Sequence, residues 1–370
     1  MTSPDRALAR VRLDTVRRNC ERLLLLLADG AQLCAVVKAQ GYGHGAVQCA
    51  RAARDGGATW IAVATAAEAV ELRRAGIEGR VLVMGALTAP ETRAAVAAEA
   101  DVVVWDRCFL DSIPTGAAGP TRVHVKLDTG MGRLGTKDPE VARALIEQAD
   151  STPGVELAGL MTHFATADEL GDLHFPAQLD RFRAFVGELG ERADNLLVHA
   201  ANSAATFRER GCHFDMVRSG VAIYGLDPFG EDPRARGLEP ALELESYVAA
   251  VKRFEPGESA GYGRRWTAAE PTCVGTVPIG YGDGWRRALT NDCDVLVRGR
   301  RRPLVGTVSM DNVTVELGLD TDVQPGDTAV LIGAQGEERI LCEEVAGRLD
   351  TINYEVVCGL SPRVTRRHEG

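Results

Sequence analysis

Through about residue 220 the chain alternates between two patterns: short runs of Val, Leu and Ile almost free of charge, and alanine-rich stretches whose apolar positions return at helical spacing. The first suits strands buried on both faces, the second amphipathic helices. Strands are predicted at 33–37, 60–64, 81–84, 102–105, 122–127, 155–161, 196–199 and 214–217, eight in all. Helical spacing covers 44–55, 66–75 and 139–148, and a helix over 14–28, capped by Asp14, follows a short strand at 11–13. Eight strands alternating with helices over roughly 200 residues is the arithmetic of an α/β fold, the (β/α)8 barrel.

After Gly237 strand patterns dominate, at 242–254, 273–279, 295–298, 303–308, 313–317 and 329–332, broken by one helix near 341–349. The expected organisation is a barrel over 1–237 and a mostly β domain over 238–370, with residues 1–14 able to pack on the second. The Pro-, Gly- and charge-rich stretch 226–239 reads as the linker.

One residue breaks the first strand's pattern. The run LCAVVKAQGYGHG at 33–45 ends on Lys38 and passes at once into glycines. Alone, a strand-end lysine is most simply a side chain reaching solvent. At the C-terminal end of a parallel strand, however, it stands where α/β enzymes keep their sites. Other polar residues fall at the same ends: Tyr42 after the first strand, Asp128, Gly130 and Arg133 after the fifth, His163 after the sixth, His199, Asn202 and Ser203 after the seventh, and Arg218, Gly220 and Val221 after the eighth. A strand-end histidine is usually core and a glycine turn usually only a turn, so the weight lies in their convergence. Lysine offers Schiff-base chemistry, while backbone N–H groups near Gly220 with the Ser203 and Tyr42 hydroxyls suit a phosphate. Together on a barrel they suggest pyridoxal phosphate.

Composition narrows the classes. A net charge of -10 argues against nucleic acid or an anionic membrane surface as partner. Nine scattered cysteines, never in a CxxC pair, suit a reducing cytoplasm better than a disulfide framework or zinc site. Charges interrupt the N-terminal MTSPDRALARVRLD, and the leucine run at 23–27 is too short to span a bilayer, so neither export nor membrane embedding is expected.

These residues carry a resemblance that runs nearly end to end. AVVKAQGYGHG, KLDTGMGRLG, MTHFATADE, HAANSAA, MVRSGVAIYG, AGYGRRW, PIGYGDGWRR, VGTVSMDNV and TINYEVVCGLSPRV occur in this order, and the sequence resembles the alanine racemases, fold-type III pyridoxal-phosphate enzymes. The resemblance implies a two-base interconversion of L- and D-alanine in which Lys38 holds the cofactor and serves the D face, while Tyr262 serves the L face. It implies that Tyr42, Ser203, Gly220, Val221 and Tyr354 hold the phosphate, that Arg218 bonds the pyridine nitrogen, and that His163 supports Arg218. Arg133 would meet the substrate carboxylate and Met310 bound its pocket. Lys126 stands at the family's position for a lysine that can be carbamylated, and Tyr281 and Asp311 would line the entrance. The family's tyrosine reaches the other subunit's cofactor, which implies a head-to-tail homodimer with a small amino acid as substrate and D-alanine biosynthesis as its role. Lysine and tyrosine both ordinarily titrate near 10, so nearby cations are expected to tune them, Arg264 and Arg265 among them.

Gln40, Gly41, Ser219, Gly261 and Gly282 depart from the usual family pattern beside site residues and point to serine or another small amino acid as the alternative substrate. A fold-type III decarboxylase would place an acid on the pyridine nitrogen and lack Tyr262. A non-catalytic cofactor carrier would end near residue 230.

Overall fold

The uncharged runs close on themselves. A computed structural model describes residues 5–114 and 119–370. After an opening strand β1 (Leu8–Arg12) come β2 (Gln32–Val36), β3 (Trp60–Val63), β4 (Arg80–Val83), β5 (Asp101–Val104), β6 (Thr121–Lys126), β7 (Val155–Met161), β8 (Leu197–His199) and β9 (Met216–Ser219). Strands β2 to β9 form a closed parallel barrel in chain order, and β2 pairs with β9 to complete it. This is the (β/α)8 architecture expected from the alternation. Every residue of β3, β5 and β9 is buried, as a sheet covered on both faces requires.

Helices at Ala46–Asp55, Ala66–Arg74, Ala89–Ala97, Pro139–Ser151 and His174–Leu189 connect the strands. Their starts follow from local chemistry: Thr65 and Glu68 form a reciprocal capping box, and Asp138 caps a helix that opens on Pro139. The first helix, Leu13–Leu24, stops short of Ala28. Its end tightens into i→i+3 bonds at Leu26 and Leu27, and the Ala28 N–H turns to His213 Nδ1 at 3.1 Å.

The chain divides into two compact units, Val16–Ile223 and the remainder, which joins the segment up to Thr15 to Tyr224–Gly370. The second unit contains β10 (Leu242–Tyr247), β11 (Ala250–Phe254), β12 (Ser259–Ala260), β13 (Trp266–Thr267), β14 (Thr272–Val277), β15 (Asp294–Val297), β16 (Arg300–Pro303), β17 (Val313–Glu316), β18 (Thr328–Gln335), β19 (Glu338–Ile340) and β20 (Thr365–Glu369). Its main sheet runs β16-β15-β18-β10-β1-β20, with β19 on β18, so β1 lies between β10 and β20. A second sheet is ordered β11-β14-β17.

Two further local expectations change. Residues 226–239 are knitted into the β-rich unit: the Asp227 N–H donates to Glu343 (2.9 Å), Asn353 Nδ2 donates to the Asp227 carbonyl (2.8 Å), and Arg236 pairs with Asp227 (3.2 Å). The polar residues that read as a linker are bonded to one another and to this unit. The stretch expected as a strand at 303–308 leaves the ladder after Pro303, because Gly306 takes a positive φ of 79° and its N–H donates to Asn291.

Candidate active site

Lys38 follows β2 and opens a turn of unusual handedness. Ala39, Gln40, Gly41 and Tyr42 all have φ between 52° and 61°. Left-handed conformation costs an L-residue roughly 1–2 kcal/mol, so neighbours must hold the segment in place. The Ala39 N–H donates to Glu68 (2.7 Å) and the Gln40 amide to Glu71 (3.0 Å), both on the helix Ala66–Arg74. Gln40 is therefore a brace on the exposed side of the turn. The turn buries Tyr42 while leaving Lys38 partly exposed.

Tyr42, Ser203 and Gly220 meet. A Cβ at Gly220 would run into the Tyr42 hydroxyl, so the absent side chain is what admits the phenol. The Gly220 N–H donates to Ser203 Oγ at 3.0 Å, and Ser219 Oγ lies 3.2 Å from the same oxygen. Val221 begins the next turn and is buried. This cradle of hydroxyls and backbone N–H groups suits a phosphate.

Arg218 on β9 is buried, with four acceptors around its terminal nitrogens. Nη1 donates to His199 Nδ1 (2.8 Å), and the two hydrogens of Nη2 are shared among His163 Nδ1 (3.1 Å), the Thr162 carbonyl (2.9 Å) and the Ala200 carbonyl (2.9 Å). Burial lowers the guanidinium to about 10. Burial and the cations Arg218, Lys126, Arg133 and Lys38 hold the His163 imidazole well below its ordinary value. Lys126, at the end of β6, is lowered to about 8 by burial and then by Arg218 and Arg133.

The loop after β6 owes its shape to Asp128, whose carboxylate accepts the N–H groups of Gly130 (3.0 Å), Met131 (2.7 Å) and Gly132 (2.9 Å). Arg133 leaves this loop exposed. Three braces escaped the sequence reading, all on the helix His174–Leu189: His174 Nε2 meets the Gly130 carbonyl (3.0 Å), Gln178 Nε2 donates to the His163 carbonyl (3.1 Å), and Arg181 donates to the Thr129 carbonyl (2.6 Å). Their i, i+4, i+7 spacing was the available signal.

In the β-rich unit, Tyr262 sits between two positive-φ glycines, Gly261 (76°) and Gly263 (71°), and is 75 % exposed. Thr307 Oγ1 donates to its carbonyl at 2.6 Å, so the residues that left the expected strand anchor this turn. Arg264 is committed to Ser259 Oγ (2.8 Å). Tyr281 and Met310 are also exposed and adjacent in backbone: the Tyr281 N–H donates to Ser309 (3.0 Å) and the Gly282 N–H to Met310 (2.9 Å). Asp311 pairs with Arg363 at 2.6 Å, and a Cβ at Gly282 would collide with that same guanidinium. Tyr354 lies on the short helix Asn353–Cys358, half-buried.

Among the described residues no cluster of His, Cys, Asp or Glu is arranged to hold a metal, and no helix is long and apolar enough to cross a membrane.

Comparison with known proteins bears on the whole chain. The sequence model of the alanine racemase N-terminal domain matches residues 11–228, and that of the C-terminal domain matches residues 241–368. An alanine racemase of Symbiobacterium thermophilum is 43% identical over 98% of this chain and 97% of its own length. Alanine racemase 1 of Bacillus subtilis is 41% identical over 97% and 92%. The crystal structure of alanine racemase from D-cycloserine-producing Streptomyces lavendulae superposes with a TM-score of 0.93 at 37% identity, covering 100% of this chain and 98% of that one. With both domain models matched and relatives above 40% identity along nearly the whole chain, the chain belongs to the alanine racemase family.

Proposed function

We propose that this protein interconverts L-alanine and D-alanine by a two-base reaction, with pyridoxal phosphate at the C-terminal mouth of the barrel. The observation that carries the reading is the convergence at one barrel end of Lys38, the Tyr42–Ser203–Gly220 cradle and the buried, donor-only Arg218. These residues suit the cofactor: the cradle, with Val221 and Tyr354, would take the phosphate, Lys38 would hold the carbonyl carbon, and Arg218, supported by His163, would meet the ring nitrogen. Bound there, pyridoxal phosphate draws electron density from the substrate's Cα–H bond, so a base of moderate strength can remove the proton.

The chain's own part is to position the substrate and move protons. Lys38 Nζ takes or returns the proton on the D face, and Tyr262 Oη does so on the L face. Arg133 holds the substrate carboxylate, Met310 limits the side chain to a small one, and Tyr281 with Asp311 lines the entrance. The reading makes the barrel the cofactor-binding domain and the β-rich unit the source of the second base. A tyrosine 75 % exposed on its own unit supports delivery to a second subunit, hence a head-to-tail homodimer. The protein is assigned to the cytoplasm and to D-alanine biosynthesis.

Following the optical rotation of L-alanine beside a panel of other L-amino acids tests the activity. Decay to zero fastest for alanine is expected; unchanged rotation in cofactor-loaded protein would refute it. Gly220→Ala is expected to weaken cofactor binding by on the order of tenfold or more, because the new methyl displaces the Tyr42 hydroxyl. Titration of cofactor absorbance measures this.

Lys126 is proposed to carry a carbamate that steadies Arg133. Its neutral amine attacks carbon dioxide, forming an N–C bond and releasing one proton to solvent. Only the unprotonated amine reacts, so occupancy is expected to rise as pH increases through about 8 and to fall below it. Carbon NMR with labelled bicarbonate checks this: a carbamate signal that grows with pH and disappears in Lys126→Ala is expected, and absence of the signal throughout would exclude the modification.

A further inference from the structure

The Arg218 guanidinium is one end of a buried line of hydrogen bonds that continues well below the barrel mouth. His199 on β8 accepts from Arg218 through Nδ1 at 2.8 Å. His199 Nε2 lies 2.9 Å from Nδ1 of His124 on β6, and His124 Nε2 lies 3.2 Å from Asp101 Oδ2 at the start of β5. Both histidines and the carboxylate have no solvent exposure. Asp101 is held by Arg122 (2.7 Å) and approached by Arg80 (3.6 Å).

The two ends determine every proton between them. Arginine donates only and an ionised carboxylate accepts only. His199 Nδ1 must therefore be a lone pair and its Nε2 a donor. His124 Nδ1 must then accept, leaving its Nε2–H for Asp101. The requirements from the two ends agree, so each N–H points from Arg218 toward Asp101 and the bond dipoles align and reinforce one another.

The barrel makes room for this line. The β6–β7 register shifts between Val123 and His124, so that His124 pairs with Gly159. A Cβ at Gly159 would collide with His124 Nδ1. Trp60 packs on the same ring in a T-shaped pair, at 5.7 Å between centroids and 87°.

We propose that His124 and Asp101 are positioning residues for the racemase site: they lock His199 in its Nε2–H tautomer, so that it always presents a lone pair to Arg218 and fixes the guanidinium's orientation toward the cofactor ring. All four guanidinium bonds described above leave from the terminal nitrogens. A His199 of the other tautomer would set N–H against N–H and turn the group. The inference rests on the proposed function for its consequence in catalysis, but the tautomer itself is independent of that reading.

Nitrogen NMR of the histidines in the wild-type holoenzyme gives the first test and needs no variant. Neutral Nε2–H forms are expected for both His199 and His124; a proton on His199 Nδ1 would overturn the proposal whether or not the protein racemises alanine. His124→Phe keeps ring volume and the Trp60 contact but removes the acceptor, whereas His124→Asn restores an acceptor at the Nδ1 position. In His124→Phe, His199 is expected to lose its single tautomer, and kcat to fall at least about tenfold with little change in KM. His124→Asn is expected to recover most of both. Equal losses in the two variants, or an unchanged His199 tautomer and kcat in His124→Phe, would reduce His124 to packing. Racemase activity absent from the wild type would instead refute the proposed function and leave the tautomer measurement standing.

Discussion

Lys38→Ala and Tyr262→Phe should each abolish net racemisation, by on the order of a thousandfold or more, because in the proposed two-base reaction either loss removes one of two proton carriers on opposite faces of the substrate. A single remaining base still exchanges protons on its own face. Tyr262→Phe should therefore retain exchange of the D-alanine Cα proton for solvent deuterium, with Lys38 taking and returning it, and lose the corresponding exchange in L-alanine. Exchange that stays equal for the two enantiomers would show that Tyr262 is not the L-face base. Mixing the two inactive proteins then tests the dimer. If each site combines Lys38 of one subunit with Tyr262 of the other, half of a random mixture is hybrid and each hybrid has one intact site of two, so about a quarter of wild-type activity returns. Complete sites within one chain would give no recovery. The exposure of Tyr262, on a turn pinned by Thr307, supports the shared arrangement.

Arg218→Glu has the second-largest expected effect, and here the effect is on both stability and chemistry. The wild-type guanidinium satisfies four acceptors: the His199 and His163 rings and the Thr162 and Ala200 carbonyls. A carboxylate in its place faces four acceptor lone pairs with no hydrogen to donate, and stranding buried groups of this kind costs roughly 3–5 kcal/mol. The melting temperature should fall. In the protein that remains folded, racemisation should drop on the order of a hundredfold, while pyruvate formed per turnover rises, because an acid beside the ring nitrogen permits a protonated ring and a stronger electron sink. Arg218→Lys separates the two effects, since it keeps the charge but not the planar fork. Coupled assay of pyruvate against optical rotation measures the ratio; no rise in Arg218→Glu would refute this account of the arginine.

Much of the candidate site was legible because strand ends announce themselves. Lys38 stands out as a charge closing an apolar run, and His163, Ser203 and Arg218 recur at equivalent places in later strands. The conformation of the lysine's turn was not legible: the glycines at 41, 43 and 45 signal a bend, but the left-handed φ of Ala39 and Gln40 goes with bonds to Glu68 and Glu71 on a later helix. Gln40, one of the residues beside the site lysine singled out in the sequence, is an arm of that brace.

His124 shows the other kind of blindness. In RVHVK it is one polar residue inside a strand, and nothing nearby says what it meets. Its partners lie 23 and 75 positions away, at Asp101 and His199. The sequence by itself determined the barrel, the β-rich second unit and the residues at the strand ends, because periodicity, strand length and turn chemistry are local properties. Only the tertiary structure decided that Gly159 vacates space for His124, that Gly220 admits Tyr42, and that one line of bonds joins Arg218 to Asp101. Those depend on closure of the barrel and on a single register shift in β6, which bring side chains from separate strands within hydrogen-bonding distance.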